Sequence, residues 1–269
     1  KNNIAVVGAG KNIEAARIPV ILEREGTKVG FLAYLSIASP NYMAGEDSCG
    51  CAPLRASHSY EQVDEQPGTP PLIITKLFPE DREAMEADIK KLRPQVDVLV
   101  VSMHCGVHNV PATVAMYQKE AAYAAVDAGA DLVLQHHAHI LKGIEMYKGK
   151  AIFYGLGNFA AEHSEDPRYY IPARRSLARE FYRLKPELKH TWRHDALKTL
   201  IVKAYIKGKN IQKVTFIPAY IDPATLEPEV VMRKDSKAGE VFDYVKQISE
   251  TEDLKVHFSW DGDEVEVLP

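Results

Sequence analysis

The chain has 269 residues, 46% of them hydrophobic and 26% charged, with a formal net charge of −4. Such a composition is ordinary for a globular protein and the length suits one large domain or two small ones. It excludes nucleic acid as the main partner, because no basic footprint is present; a helical membrane span, because no apolar run is long enough; and a disulfide framework, because Cys49, Cys51 and Cys105 are odd in number and irregular in spacing.

In chain order, Ile4-Ala5-Val6-Val7 reads as an apolar strand that breaks at Gly8-Ala9-Gly10. These first residues lack the h-region and cleavage site of a signal peptide. The composition favours the cytoplasm without fixing a compartment, and an anchor upstream of Lys1 stays open. A strand running into glycines can cradle phosphate, but G-x-G-x-x-G is incomplete and no Lys-Ser/Thr follows. Residues 19–25 and Thr27–Leu35 predict a hairpin turning at Gly26. Residues 36–75, with Pro40, Gly45, Gly50, Pro53, Pro67, Gly68, Pro70 and Pro71, read as one long loop covering the active site. The strands on both sides of it fit one sheet, so a single domain over 1–269 is expected.

Pro79–Leu92 predicts a helix, with Pro at its first position and Glu80 and Asp81 in its first turn. Residues 97–102 form a buried strand, 111–127 an Ala-rich helix stopped by Gly129, and 131–134 the next buried strand. Residues 143–147 and 151–154 make a hairpin around Lys148-Gly149-Lys150. Continuous apolar strands alternating with helices indicate α/β layering. A second long loop spans 160–195. Residues 197–207 and 211–221 form a long hairpin, 238–249 an amphipathic helix, and 255–259 with Glu264–Leu268 two closing strands.

Two apolar strands each end in histidine: Ser102-Met103-His104, and Gln135-His136-His137-Ala138-His139. Ligands in α/β sheets sit beyond the carboxyl ends of strands, so parallel neighbours would put these imidazoles on one rim. If 137–139 is extended, His137 and His139 share a face. A lone histidine reads as an ordinary hydrogen-bonded side chain; four at two strand ends point to a metal site. Gly106 and Gly157 beside the rim would let backbone approach a ligand closely. Cys49-Gly50-Cys51 with His58 could hold a separate metal, although loop thiols at this spacing are usually incidental; Cys105 reads as a plain buried thiol. Arg174 and Arg175, with Arg168, Arg179 and Arg183, form a basic cluster suited to an anionic substrate or simply a solvated loop face. Glu162 and His163 read as surface residues, and Trp192 and Trp260 as packing residues.

Four stretches carry a family resemblance. Val100-Val101-Ser102-Met103-His104-Cys105-Gly106 resembles V-S-x-H-W-G. Residues 127–139, Asp127-Ala128-Gly129-Ala130-Asp131 through His139, resemble D-A-G-A-D-x-V-x-G-H-H-x-H. Residues 143–159, from Gly143-Ile144-Glu145 to Gly157-Asn158-Phe159, resemble G-x-E-x-Y-x-G-K-x-I-x-Y-S-L-G-N-F, and Val7-Gly8-Ala9-Gly10-Lys11-Asn12 resembles V-G-A-G-x-N. The chain is thus similar to CapA-type proteins of poly-γ-glutamate and capsule synthesis, within the calcineurin-like metallophosphoesterase superfamily. The resemblance implies a two-sheet α/β sandwich with two divalent ions (Mn, Fe or Zn) at strand ends. His104, His137 and His139 would be metal ligands, His136 catalytic or substrate-facing, and Asn158 would line the pocket; outside the resemblance, His108 reads equally as a catalytic or substrate contact and as a solvated loop residue, and Arg174 and Arg175 are the candidate substrate-binding pair. The implied activity is metal-dependent hydrolysis of a phosphoester or amide bond, with an anionic small molecule, a polyglutamate-like polymer or a membrane-bound synthase as partner. The alternative is a non-catalytic accessory protein with a degenerate site.

The departures from the family pattern bear on that choice. Gln135 stands for Gly, Cys105 for Trp, and His108 where many members have Glu. The family's earlier motifs (an Asp-containing strand end, an acidic segment and an Asn-His pair) precede V-G-A-G-x-N and have no counterpart here. The expectation is a fragment that lacks the N-terminal part of the family fold, with an incomplete site that binds metal weakly or not at all on its own.

Overall fold

The computed structural model describes residues 4–65, 67–69, 71–160 and 194–269. The first half contains β1 (Ala9–Gly10), α1 (Ile13–Ala16), β2 (Val20–Arg24), β3 (Thr27–Leu35), β4 (Gly50–Cys51), β5 (Ala56–Glu61), β6 (Leu72–Leu77), α2 (Pro79–Leu92) and β7 (Val98–His104). Next come α3 (Met116–Ala128), β8 (Leu132–His136), β9 (Ile144–Tyr147) and β10 (Lys150–Phe153). The second half contains β11 (Lys198–Lys207), β12 (Asn210–Ile221), β13 (Pro228–Val230), α4 (Ser236–Thr251), β14 (His257–Asp261) and β15 (Glu264–Leu268).

The architecture is mixed α/β with several sheets, as expected. A six-stranded sheet has the order β2-β3-β7-β8-β10-β9, and a five-stranded sheet runs β11-β12-β15-β14 with β13 added to β12. In the first sheet β3, β7, β8 and β10 are parallel neighbours, with antiparallel β2 and β9 at its edges. Alternation along β7 explains how one strand serves two cores. Leu99, Val101 and Met103 face one core, where Met85, Ile89 and Leu92 of α2 recur at helical spacing with Ala121, Ala122 and Ala125 of α3. Val98 and Val100 face the other, shared with Val214 and Phe216 of β12, Val265 of β15, and Val241 and Val245 of α4. The layers are therefore helix, sheet, sheet.

Several expectations need correction. Residues 4–7 form no strand: Ile4 and Val6 are 78% and 72% exposed, and pairing starts only at Ala9↔Cys51. An apolar run without a neighbouring strand has nothing to saturate its backbone. The glycines after it serve packing, since a Cβ at Gly8 would lie 2.8 Å from Ala33 Cβ. Residues 36–75 are not one structureless loop, because β5 and β6 pair from Ala56↔Leu77 to Glu61↔Leu72. β5 is exposed on five of its six residues and β6 on three of six with only Leu77 buried, so the hairpin shows no apolar-in alternation for the sequence to reveal. It is bonded to α3, Thr75 Oγ1 accepting from Tyr117 N at 3.2 Å and Glu120 Oε2 from Leu77 N at 3.0 Å. The helix expected from 111 begins at Met116. Arg168, Arg174, Arg175, Arg179, Arg183, Glu162, His163 and Trp192 lie outside the described residues.

Candidate functional site

β7 and β8 run side by side in parallel register, and their last paired residues are His104 and His136. The carboxyl ends of both strands thus present imidazoles to one rim. Beyond His136 the strand stops. His137 and His139 have φ of 97° and 55°, so the expected extended alternation over 137–139 is replaced by two left-handed residues. Such a conformation costs a non-glycine residue on the order of 1–3 kcal/mol and is concentrated at functional sites.

The turn still brings these rings together. His137 Nδ1 lies 3.1 Å from His104 Nε2, with ring centroids 5.0 Å apart. The loop after β7 adds His108, whose centroid is 5.4 Å from His137 and 4.9 Å from His139. His139 and His137 centroids are 6.3 Å apart. His136 pairs with His104 across the ladder. Asn158, 8% exposed, fixes His139 from two sides: its Oδ1 lies 2.7 Å from His139 Nδ1, and its Nδ2 donates to His139 O at 2.9 Å. An amide oxygen can only accept, so Nδ1 carries the proton and the lone pair is on Nε2. Asn158, expected to line the pocket, is thus the partner that sets the His139 tautomer.

Burial lowers the pKa of His104 and His136 and pushes that of His137 down to about 4, neighbouring imidazoles adding to each effect. All three are neutral at pH 7, the form that donates a lone pair. Among the described residues no three His, Cys, Asp or Glu side chains converge as a metal-holding group.

Beneath the rim is a polar floor that sequence reasoning missed. Gln118 Nε2 donates to Gln135 Oε1 at 2.9 Å, and Gln135 Nε2 returns a bond to Gln118 O at 3.0 Å. A Cβ on Gly106 would meet Gln118 Nε2 at 2.5 Å, and one on Gly157 would meet Lys198 O at 2.8 Å; both glycines admit protein atoms rather than a ligand. Lys142, wholly buried, also went unnoticed, although a lysine inside Ile140-Leu141-Lys142-Gly143-Ile144 is a signal in itself. Cys105 is buried, as expected, and burial raises its thiol pKa; Cys49 is exposed and Cys51 half-buried in β4.

Comparison with known proteins agrees with the histidine motifs. The family model described as "Bacterial capsule synthesis protein PGA_cap" matches residues 1–163. The PGA biosynthesis protein CapA of Bacillus subtilis (strain 168) is 28% identical over 162 residues, covering 59% of this chain and 35% of that protein. The capsule biosynthesis protein CapA of Bacillus anthracis is 32% identical over 155 residues, covering 57% and 32%. This chain therefore spans about a third of the length of the curated relatives it matches. The solved structure of a hypothetical protein from Thermus thermophilus aligns over 79% of this chain and 58% of its own at 14% identity, with a TM-score of 0.29, too low to support an argument. Among the described residues no helix is long and apolar enough to cross a membrane. The family match spans more than half of the sequence and includes the whole histidine rim, and the chain belongs to the bacterial capsule synthesis protein family PGA_cap.

Proposed function

We propose that this chain carries the histidine half of a metal-dependent hydrolase of calcineurin-like fold, acting on a phosphoester or amide bond in poly-γ-glutamate or capsule production. The observation that carries the reading is the 3.1 Å approach of His137 Nδ1 to His104 Nε2. Two imidazole nitrogens on one ion at roughly 2.0–2.1 Å would stand about 3.0–3.4 Å apart, so the pair has the bite of two ligands. Asn158 orients the neighbouring His139 and sets its tautomer, the role of an outer partner that orients histidines at a metal site. The helix–sheet–sheet layering and the site's place at parallel strand ends support the fold reading. An ion bound there would supply Lewis acidity. His108, in ring contact with His137 and His139, and His136, beside His104 in the ladder, would move a proton, and a polyglutamate-like polymer or an anionic small molecule fits the description of the relatives as PGA and capsule biosynthesis proteins.

The donor set fits an ion only in part, since no third donor converges with that pair among the described residues. That observation favours a second reading, a non-catalytic accessory of a synthase; a relative in Mycobacterium tuberculosis, 37% identical over 71 residues, is described as a probable polyglutamine synthesis accessory protein. Titration of the chain with Mn, followed by an aryl phosphate assay, separates the two. The hydrolase reading expects weak Mn binding that is lost in His137→Ala and reduced about 10–100-fold in Asn158→Ala. If His137→Ala changes neither binding nor turnover, the site assignment falls. If Mn binds with no turnover, the accessory reading replaces it.

A further inference from the structure

Lys142 is fully buried, and a buried ammonium is costly unless its donors are satisfied. Among the described residues its hydrogen bonds go to no carboxylate. Nζ instead donates to two main-chain carbonyls, Val110 O and Thr113 O, the latter at 2.9 Å. Both belong to the segment between β7 and α3, just after His108. That segment turns at 108–109 and again at 111–112, with Asn109 and Ala112 at φ of 57° and 54°, and within it Thr113 Oγ1 donates to Pro111 O at 3.3 Å. Further main-chain groups of the segment are met from outside. Asn109 N donates to Ala138 O at 2.9 Å, Val114 N to Glu252 Oε2 at 3.2 Å, and Ala115 N to Gln118 Oε1 at 2.9 Å. Lys142 supplies the cation that gathers its carbonyls.

The path of the lysine stem is also built into the fold. A Cβ on Gly155 would stand 2.7 Å from Lys142 Cγ and 3.1 Å from its Cβ, while Lys142 N donates to Gly155 O at 3.1 Å. Gly155 lies outside the left-handed region, so the stem, not the backbone angle, leaves no room for a side chain. Burial pushes the ammonium pKa down to about 8, with the nearby Glu252 charge opposing.

We infer that Lys142 is a positioning residue: its ammonium fixes the 107–113 loop on two carbonyls and so holds the His108 ring against His137 and His139. The inference rests on the reading of this histidine group as the working site and deepens it, since it names what aims the one imidazole that comes from a loop rather than from the strand-end segment.

The test is NMR of the full chain with labelled histidine, comparing wild type with Lys142→Met, which keeps the stem, and Lys142→Arg, which keeps the charge. Lys142→Met should lose the His108–His139 ring contact and raise amide exchange at Asn109 roughly tenfold or more, with β11 and β12 amides unchanged. Lys142→Arg should restore part of both. A folded Lys142→Met with the ring contact and Asn109 protection intact overturns the inference. Should Lys142→Met not fold, Gly155→Ala is read in the same way: a displaced His108 supports the inference, and an unmoved one refutes it. Wild-type Mn titration runs alongside. No Mn binding would sink the metal reading, whereas the ring contacts decide the role of Lys142 on their own.

Discussion

His137 holds the most perturbed pKa of the histidine group. Burial first, and then the neighbouring His104, His108 and His139, bring it to about 4, against about 6.5 for an unfolded histidine. Between those values the unfolded chain binds a proton that the folded chain rejects. Stability therefore rises with pH across this window and is lost on acidification. His104 and His136 shift in the same direction. We expect the melting temperature to fall between pH 7 and pH 5. For His137, discounted for its half-exposed setting, the loss is on the order of 1 kcal/mol at pH 5. His137→Gln should flatten this dependence, and an equal slope in both proteins would count against the assigned burial. The histidines themselves were legible in the sequence, as residue types at two strand ends. Their geometry was not: nothing in Gln135-His136-His137-Ala138-His139 distinguishes continued strand from the left-handed turn that aims the rings. The role of Asn158 was hidden for the same reason, because a hydrogen bond across 19 positions leaves no local pattern.

At the scale of elements, Arg93 does at one end of the sheet what the histidine rim does at the other: it gathers chain segments. It follows α2, donates through Nη1 to Gly129 O at 3.0 Å and Asp131 Oδ2 at 2.5 Å, and through Nη2 to Val96 O and Asp97 O at 2.8 Å each. One guanidinium thus ties the ends of α2 and α3 to the starts of β7 and β8. Arg93→Ala should cost about 2–3 kcal/mol by denaturant midpoint, with Lys150 still paired to Asp131. A loss below about 0.5 kcal/mol, typical of an exposed pair, would contradict this role. The helices and hairpins were readable where turn chemistry was explicit. Pro79 opens α2, Gly129 ends α3 with φ 123°, and the turns at Gly26, Gly149, Gly208 and Gly262 separate the paired strands. The start of α3 was misread because Pro111 through Ala115 run without a break into the Ala-rich helix, yet their backbone groups are taken by Lys142, Glu252 and Gln118.

For the whole molecule, the contact between the two sheets is decisive. Phe216 of β12 is fully buried in it, set edge-on to Phe258 at 6.1 Å between centroids. Phe216→Ala should cost about 3–5 kcal/mol, read as a lower denaturation midpoint; a loss under about 1 kcal/mol would show that the sheets do not depend on this contact. The parallel strands of the first sheet could be inferred from their continuous apolar character. The docking of the second sheet on them came only through family resemblance, since a hairpin pattern does not say which surface it covers. The outer hairpins of the second sheet and the histidine rim also differ in how far apart their paired residues lie. β11 and β12 meet across a short turn, as do β14 and β15. The rim has Leu35 beside His104 and His104 beside His136, with the β5–β6 hairpin, α2 and α3 intervening. Closing long loops costs chain entropy that short hairpins avoid, and it slows folding. The β11–β12 and β14–β15 hairpins should therefore zip up early and the histidine rim late, so that in refolding the chemistry-bearing end of this chain is the part that waits.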